Sequence, residues 1–422
     1  MRVLIISDVP WRDDNSVGNT YSNIFSNFEG VEFANLYCKP GKPDSKIVKR
    51  YFQITEKELL LNLIGKKKKD MPLNNNVDVF NRQEQKIYDI ARTLRFQSFF
   101  LIRELIWKIG KWKTKELNTF LNEYKPDIVF SFCLESLYYN NLIDYCRDYT
   151  ESKLALFFAD DVYSYAKRNP AYLIYKHYSR QRIKKLAKTS DLIYGATPQL
   201  CDEYSDIFKK KITPLYKTCE DIIQNKSEVN KPLKITYTGN LFYGRWKTLA
   251  LIAQAIKEIN LDSTKARLDI YTTGLTTKQM DNMLNLEGAS QLLGAIPYEQ
   301  VKEVLKDSDI VLHVESFDKR EIKKTRLSFS TKIVDCMQSG SCLLAVGPEE
   351  TASIRLLKDY NIAQVVSDNS KERVKNNLLK LLADNSALTD TAYRMNQFAI
   401  EHHSLNFLKD NLYADLEKEG NL

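Results

Sequence analysis

Short apolar runs rich in Val and Ile recur along this chain, each followed by a stretch of helical periodicity. This β-then-α order constrains the fold more than any other feature. Such runs read as strands buried on both faces, and successive β-α units build parallel sheets with right-handed crossovers and helices on either side. Strands fall at 3–7, 31–37, 127–133, 153–159 and 191–196, with helices at 18–28, 82–124, 137–146 and 171–186, while 39–77 is poorly patterned. Between 209 and 229 the chain turns polar and basic, and the alternation then restarts with strands at 235–238, 268–271, 291–293, 310–314, 343–346 and 364–366. A length of 422 residues exceeds what one core organises. The expectation is two doubly wound domains, 1–216 and 233–395, joined by a linker at 217–232, with a helix at 396–420 packing back on the first. Ligands gather at the carboxyl ends of strands in such sheets, and two such domains leave the cleft between them as the natural ligand position.

The formal net charge of +8 favours an anionic partner: a nucleotide sugar, an acidic lipid surface or nucleic acid. The run Lys66-Lys67-Lys68-Lys69 reads as a solvated loop and supports no nucleic-acid partner. Seven scattered cysteines in mostly apolar segments read as reduced core thiols of a cytoplasmic protein. Four histidines without a nearby cysteine cluster predict no structural zinc and no metal site. The opening MRVLIISDVPW is too short in its apolar part for a signal peptide, and no run is long enough to span a bilayer. One helical segment stands out. Gln97, Glu104, Lys108, Lys111 and Lys115 fall on a narrow stripe, while Phe96, Phe99, Ile102, Leu105, Ile106, Ile109 and Trp112 cover the rest. Such a helix is either sunk in the protein with one wet edge or lies in a membrane interface, with Trp107, Trp112 and the lysines as anchors.

Two stretches carry chemistry. In SFSTKIVDCMQSG a buried strand and a polar loop lead to Ser330 and Thr331, which open a short helix bearing Lys332. A helix start with an added ammonium suits a phosphate, although capping alone would also explain the two hydroxyls. In YTGNLFYGRW a strand delivers Gly239 and Gly244 into a loop, with Arg245 at the start of the next helix. Glycines let backbone approach a ligand closely, and a guanidinium can grip two phosphate oxygens. If both loops project at the carboxyl edge of one sheet, Arg245 and Lys332 flank one diphosphate. In the first half, Gly18 marks either close approach to a ligand or a tight turn. Glu135 and the pair Asp160-Asp161 stand at strand ends, where carboxylates either handle a sugar hydroxyl or bond the backbone of a turn.

The motifs DDNSVGNTYSNIF, Pro126-Asp127, YTGNLFYGRW, HVESF, SFSTKIVDCMQSG and CLLAVGP, in this order, resemble retaining bacterial glycosyltransferases of family 4, especially the branch that builds capsular and other surface polysaccharides. The resemblance covers nearly the whole chain. It implies a GT-B fold, two Rossmann-like α/β domains facing each other across a cleft, and a nucleoside-diphosphate sugar donor; with two cations and a helix end to stabilise the departing diphosphate, no metal and no further cofactor are expected. By the same resemblance Arg245 and Lys332 hold the donor diphosphate, Asp335 meets the ribose, and the loop of Gly18 closes over the donor. The acceptor, a glycan or lipid-linked sugar, lies near Gly18 and Asp160, and the enzyme is cytoplasmic, with peripheral contact to the inner face of an anionic plasma membrane as a further expectation. The family's first glutamate would fall at Leu327, which leaves its work on the donor sugar to Glu315, to Asp318 or to no residue. Asn240 stands where many relatives have arginine, and DKREIKKTRL is an added basic stretch. A non-catalytic nucleotide-sugar binding or partner subunit, or a sugar-nucleotide epimerase of the same architecture, remains the alternative.

Overall fold

The computed structural model describes residues 1–13, 16–63, 97–166, 169–219 and 228–420. The Lys66–Lys69 run, the first part of the expected long helix at 82–96 and residues 220–227 of the linker lie outside the described residues. The chain divides into two compact units. One comprises Met1–Gly195, Cys201–Leu215 and a terminal segment from Lys409, the other Ala196–Leu200 and Tyr216–Leu408. The segment 396–420 is therefore shared: its first part belongs to the second unit, and only the part from Lys409 joins the first.

The first unit is built on a seven-stranded parallel sheet, ordered β3-β2-β1-β4-β5-β6-β7. The strands are β1 (Arg2–Ser7), β2 (Glu32–Tyr37), β3 (Val48–Gln53), β4 (Ile128–Phe132), β5 (Lys153–Phe158), β6 (Leu192–Gly195) and β7 (Thr213–Pro214). The continuous apolar runs of β1, β4 and β5 are buried on both faces, as their composition requires. β3, VKRYFQ, lies in the stretch that reads as unpatterned. It is an edge strand with Lys49 and Arg50 exposed, and charge on an edge blocks pairing with other chains. Trp11, Tyr21, Phe25, Phe33 and Phe130 pack edge-on and tilted beneath β1. Gly18 belongs to this packing. A Cβ there would stand 2.0 Å from the Arg12 carbonyl oxygen and 2.5 Å from the Arg12 nitrogen, so the first helix can seat against that loop only with glycine.

The single helix expected over 82–124 is, in its described part, two: Gln97–Ile109 and Lys115–Tyr124, the second started by Thr114, whose side chain accepts from the Leu117 amide. The face of the first is the reverse of a solvated polar stripe. Glu104 turns inward and accepts from the Ser136 hydroxyl (2.8 Å), the amides of Leu137 (2.9 Å) and Tyr138 (3.0 Å) and the Tyr175 hydroxyl (2.9 Å). It thereby satisfies the free N–H groups that open the helix Leu137–Thr150. Arg103 bonds Glu56 and Asp8. Trp107, core on one of the two readings of this helix and a membrane anchor on the other, is buried and donates to Glu56 (2.8 Å). The apolar side chains Leu101, Ile102, Leu105 and Ile109 are instead 45–55% exposed.

The second unit carries a six-stranded parallel sheet ordered β10-β9-β8-β11-β12-β13. Its strands are β8 (Leu233–Thr238), β9 (Ala266–Tyr271), β10 (Ser290–Gly294), β11 (Ile310–Val314), β12 (Cys342–Val346) and β13 (Gln364–Val366). Aliphatic clusters fill both faces, around Ile235, Ile252, Leu268 and Leu344 on one side and Val311, Ile333, Leu343 and Met395 on the other. All seven cysteines are buried and unpaired. Among the described residues no helix is long and apolar enough to cross a membrane.

Candidate active site

In an open parallel sheet the order of winding reverses at one place, and the loops leaving the two strands there diverge and open a crevice. In the second sheet that place lies between β8 and β11. β8 ends at Thr238 and hands the chain to Gly239–Arg245, and β11 ends at Val314 and hands it to Glu315. The Arg245 guanidinium meets the Glu315 carboxylate at 2.8 Å and donates to the Asn240 side-chain oxygen Oδ1 at 3.3 Å. The following connection supplies Lys332 at the start of Lys332–Met337. A Cβ on Gly239 would lie 2.7 Å from the Lys332 ammonium and 2.5 Å from the Tyr237 hydroxyl, so glycine there is what lets the ammonium reach the loop. Gly244 holds φ +75°, and a Cβ would press on the Ser316 hydroxyl at 2.6 Å. The two cations and the two glycines singled out in the sequence thus meet at one strand edge.

Glu315 is 3% exposed, and its second carboxylate oxygen is buried with no hydrogen-bond partner. Burial pushes its pKa up, opposed by Arg245 and Lys332. Burial, and next the repulsion of Arg245, lower the Lys332 ammonium to about 8. No hydrogen bond or ion pair holds this ammonium among the described residues. His313, on β11 beneath Glu315, is pushed down to about 3 by burial and by the two cations, so it is neutral; its Nε2 faces the Ser353 hydroxyl at 3.1 Å. A buried carboxylate oxygen without a donor beside an ammonium without a partner is the arrangement of a site that expects a polar anionic ligand.

Of the two candidates for the missing glutamate, only Glu315 joins the cations. Asp318 instead caps the short helix Lys319–Thr325, accepting from the Arg320 amide at 2.8 Å. Leu327 is buried. Ser330 and Thr331 precede Lys332 as expected, but the helix they open has six residues and the Thr331 side chain makes no capping bond, so the charge offered here is the ammonium of Lys332. Asp335 is paired with Lys217 at 2.9 Å, both side chains being largely buried. Lys217 lies in the stretch whose composition reads as linker. It is fixed by its own carbonyl, which accepts from His403 Nδ1 at 2.8 Å, and no local pattern announces so distant a partner. His313 was also missed; its only signal was a polar residue inside an apolar strand.

In the first unit Asp161 does what a turn aspartate does, accepting from the Ser164 amide (2.7 Å) and the Tyr204 hydroxyl (2.9 Å), while Asp160 beside it is exposed. Glu135 accepts from the Tyr172 hydroxyl (2.5 Å) and lies 3.5 Å from the buried Lys176. At the carboxyl end of β1, Asp8 bonds Arg103, Tyr138 and Lys39. Burial pushes its carboxyl up, but Lys39 and Arg103 outweigh this and hold it below the usual range. No group of three or more His, Cys, Asp or Glu side chains that could hold a metal occurs among the described residues.

The architecture defines a class: two doubly wound parallel α/β units in one chain, the GT-B fold. Solved structures of that fold superpose on the whole chain. HepE from Anabaena, in complex with UDP and glucose, matches with a TM-score of 0.63 at 10% identity, over 99% of this chain and 100% of that one. Sucrose-phosphate synthase from Thermosynechococcus elongatus matches at 0.60 and 11% identity, over 99% of each chain. The UDP-forming α,α-trehalose-phosphate synthase from Burkholderia vietnamiensis matches at 0.60 and 9%, over 99% and 100%. No protein-family profile matches the chain, and no curated protein matches it by sequence.

Proposed function

We propose that this protein is a glycosyltransferase that moves a sugar from a nucleoside-diphosphate sugar to a glycan or lipid-linked acceptor in surface polysaccharide synthesis, with retention of configuration, in the manner of family 4. The observation that carries this reading is the meeting of Arg245, Lys332 and Glu315 where the second sheet changes direction. Arg245 and Lys332 take the donor diphosphate and stabilise the charge that grows on it as the glycosidic bond breaks. The open oxygen of Glu315 accepts a hydroxyl of the donor sugar, the work of the family's first glutamate. Asp335, oriented by Lys217, meets the ribose, and the acceptor is assigned to the first unit near Gly18 and Asp160. Two cations do here what a divalent ion does elsewhere, so chelators are expected to leave turnover unchanged. Loss of activity in chelator, restored by magnesium or manganese, would overturn that part.

Thermal-shift screening against uridine, guanosine and adenosine diphosphate sugars, followed by assay of donor consumption, tests the whole. A ligand raises stability with the logarithm of its concentration over its dissociation constant, so one base should stand out. Transfer or donor hydrolysis supports the proposal. Binding without turnover identifies a partner subunit, isomerised donor an epimerase, and no shift with any nucleotide refutes the site.

For a lipid-linked acceptor the protein must reach a cytoplasmic membrane surface. The half-exposed Leu101, Ile102, Leu105 and Ile109, flanked by exposed Lys108 and Lys111, support docking on an anionic bilayer, with aliphatic residues in the place expected for tryptophan. Basic residues near such a surface contribute about 1 kcal/mol each, less as salt rises. Sedimentation with phosphatidylglycerol vesicles should show binding that falls with salt and with Leu105→Gln/Ile109→Gln. Failure to sediment at low salt would end this part of the proposal.

A further inference from the structure

The first unit holds a cavity of about 490 Å³, lined by Trp112, Lys113, Asn141, Asp144, Tyr145, Asp148, Tyr149 and Arg182. Three elements wall it. Asn141, Tyr145, Asp148 and Tyr149 lie along one stripe of the helix Leu137–Thr150, Trp112 and Lys113 come from the turn before Lys115–Tyr124, and Arg182 comes from the helix Pro170–Thr189. The helix Leu137–Thr150 starts after the carboxyl end of β4 and runs back toward the amino edge of the sheet. Its last two turns therefore place the cavity away from the carboxyl edge, where Asp8, Glu135 and Asp160 stand.

The walls restrict the ligand. Tyr145 packs edge-on against Trp112 at 5.2 Å and stacks with Tyr149 at 5.7 Å, giving an aromatic wall. The rings are held in place, because the Tyr145 hydroxyl donates to Asn118 (2.6 Å) and the Tyr149 hydroxyl accepts from Asn122 (3.0 Å). Planar polar groups surround them: the Asn141 amide, the exposed Asp148 carboxylate, and Asp144 fixed by Arg182 at 2.6 Å and Arg147 at 2.9 Å. A cationic ligand is repelled by the Lys113 ammonium, which lies 4.6 Å from the Tyr145 ring and 5.2 Å from that of Trp112. A phosphate meets the two carboxylates, and a wholly apolar ligand would strip water from all of these groups. Asp144 is paired with Arg182 and Arg147, and Asp148 with Arg147 at 2.9 Å, so neither carboxylate is left to call for a counter-ion and an uncharged sugar fits: its C–H face rests on the aromatic wall and its paired hydroxyls meet the planar amide and carboxylate.

We infer that this cavity is a non-catalytic binding site for a neutral oligosaccharide. It goes beyond the proposed transfer reaction and uses none of its residues. The test is binding of maltohexaose, cellohexaose, chitohexaose and a β-galactan hexasaccharide to the full chain, read by saturation-transfer NMR and tryptophan fluorescence. At least one should bind saturably, and Trp112→Ala should weaken it tenfold or more. Asp148→Ala and Asn141→Ala, at exposed positions where folding is not at risk, should each weaken it several-fold, and glucuronate hexasaccharides should bind worse than neutral ones. Arg245→Ala should leave this binding unchanged while removing nucleotide binding, so failure of either site is seen separately. Absence of saturable binding by every probe, or affinity unchanged in Asp148→Ala and Asn141→Ala, overturns the inference.

Discussion

An Arg245→Ala variant is expected to lose both sugar transfer and stability. The loss of transfer follows from removing a charge-assisted contact to the diphosphate, which costs on the order of 1.5–3 kcal/mol in binding and more in the transition state. The loss of stability follows from Glu315. Its carboxylate is 3% exposed and paired with Arg245 at 2.8 Å, and stripping one member from a buried pair costs about 3–5 kcal/mol because a charge is left without its partner. The double variant Arg245→Ala/Glu315→Gln should recover most of the stability and none of the activity. Denaturant unfolding of the four proteins of this cycle separates the two effects. An Arg245→Ala protein as stable as wild type would show that Glu315 takes up a proton at no cost or that the pair is not formed.

Lys332→Ala should do the opposite to stability. The ammonium is buried, repelled by Arg245 and without a hydrogen-bond partner among the described residues, so the unliganded protein gains nothing from it. The variant should be at least as stable as wild type, yet bind nucleoside diphosphate at least tenfold more weakly and turn over slowly, if at all. A pH dependence follows with a definite sign. With a pKa of about 8 in the free protein, the ammonium loses its proton as pH rises through that value, and binding the anionic diphosphate must then recover it. Affinity for UDP or its counterpart should therefore fall by roughly tenfold from pH 7 to pH 9 in the wild type, one pKa unit above the midpoint, and stay flat in Lys332→Ala. Equal slopes in the two proteins would remove Lys332 from the diphosphate.

Much of this was legible in the sequence, for reasons that separate local from distant physics. β1, β4, β5, β11 and β12 are short, largely apolar runs, and their length and Val/Ile content favour a strand buried on both faces over a helix. β3 was missed because an edge strand has only one neighbour and can keep lysine and arginine. Gly239, Gly244 and Arg245 could be singled out because they lie in the loop that leaves β8, and Lys332 because it opens a helix in the connection that leaves β11, where topology alone predicts convergence. The orientation of the helix Gln97–Ile109 could not be read. Periodicity reveals two faces but not which one meets the protein, and Glu104 turns inward because unpaired amides of another helix wait there. The pairs Arg245–Glu315 and Lys217–Asp335 join residues far apart in the chain, and no spacing rule reaches that far.

The path of the chain also sets a timetable for its folding. The first unit is not finished when its sheet is: Tyr194 on β6 donates to Asp415, Lys153 on β5 pairs with Glu419, and the rings of Phe28 and Tyr413 meet at 5.1 Å. Those partners leave the ribosome only after the whole second unit has been made. At roughly 5–20 residues per second, the first sheet waits on the order of ten seconds or more with that flank uncovered. The second unit, made of residues that arrive in nearly one block, can close first. The half of the protein translated last would thus be the half that is complete earliest, and a chaperone acting on this chain would find its client in the amino-terminal half.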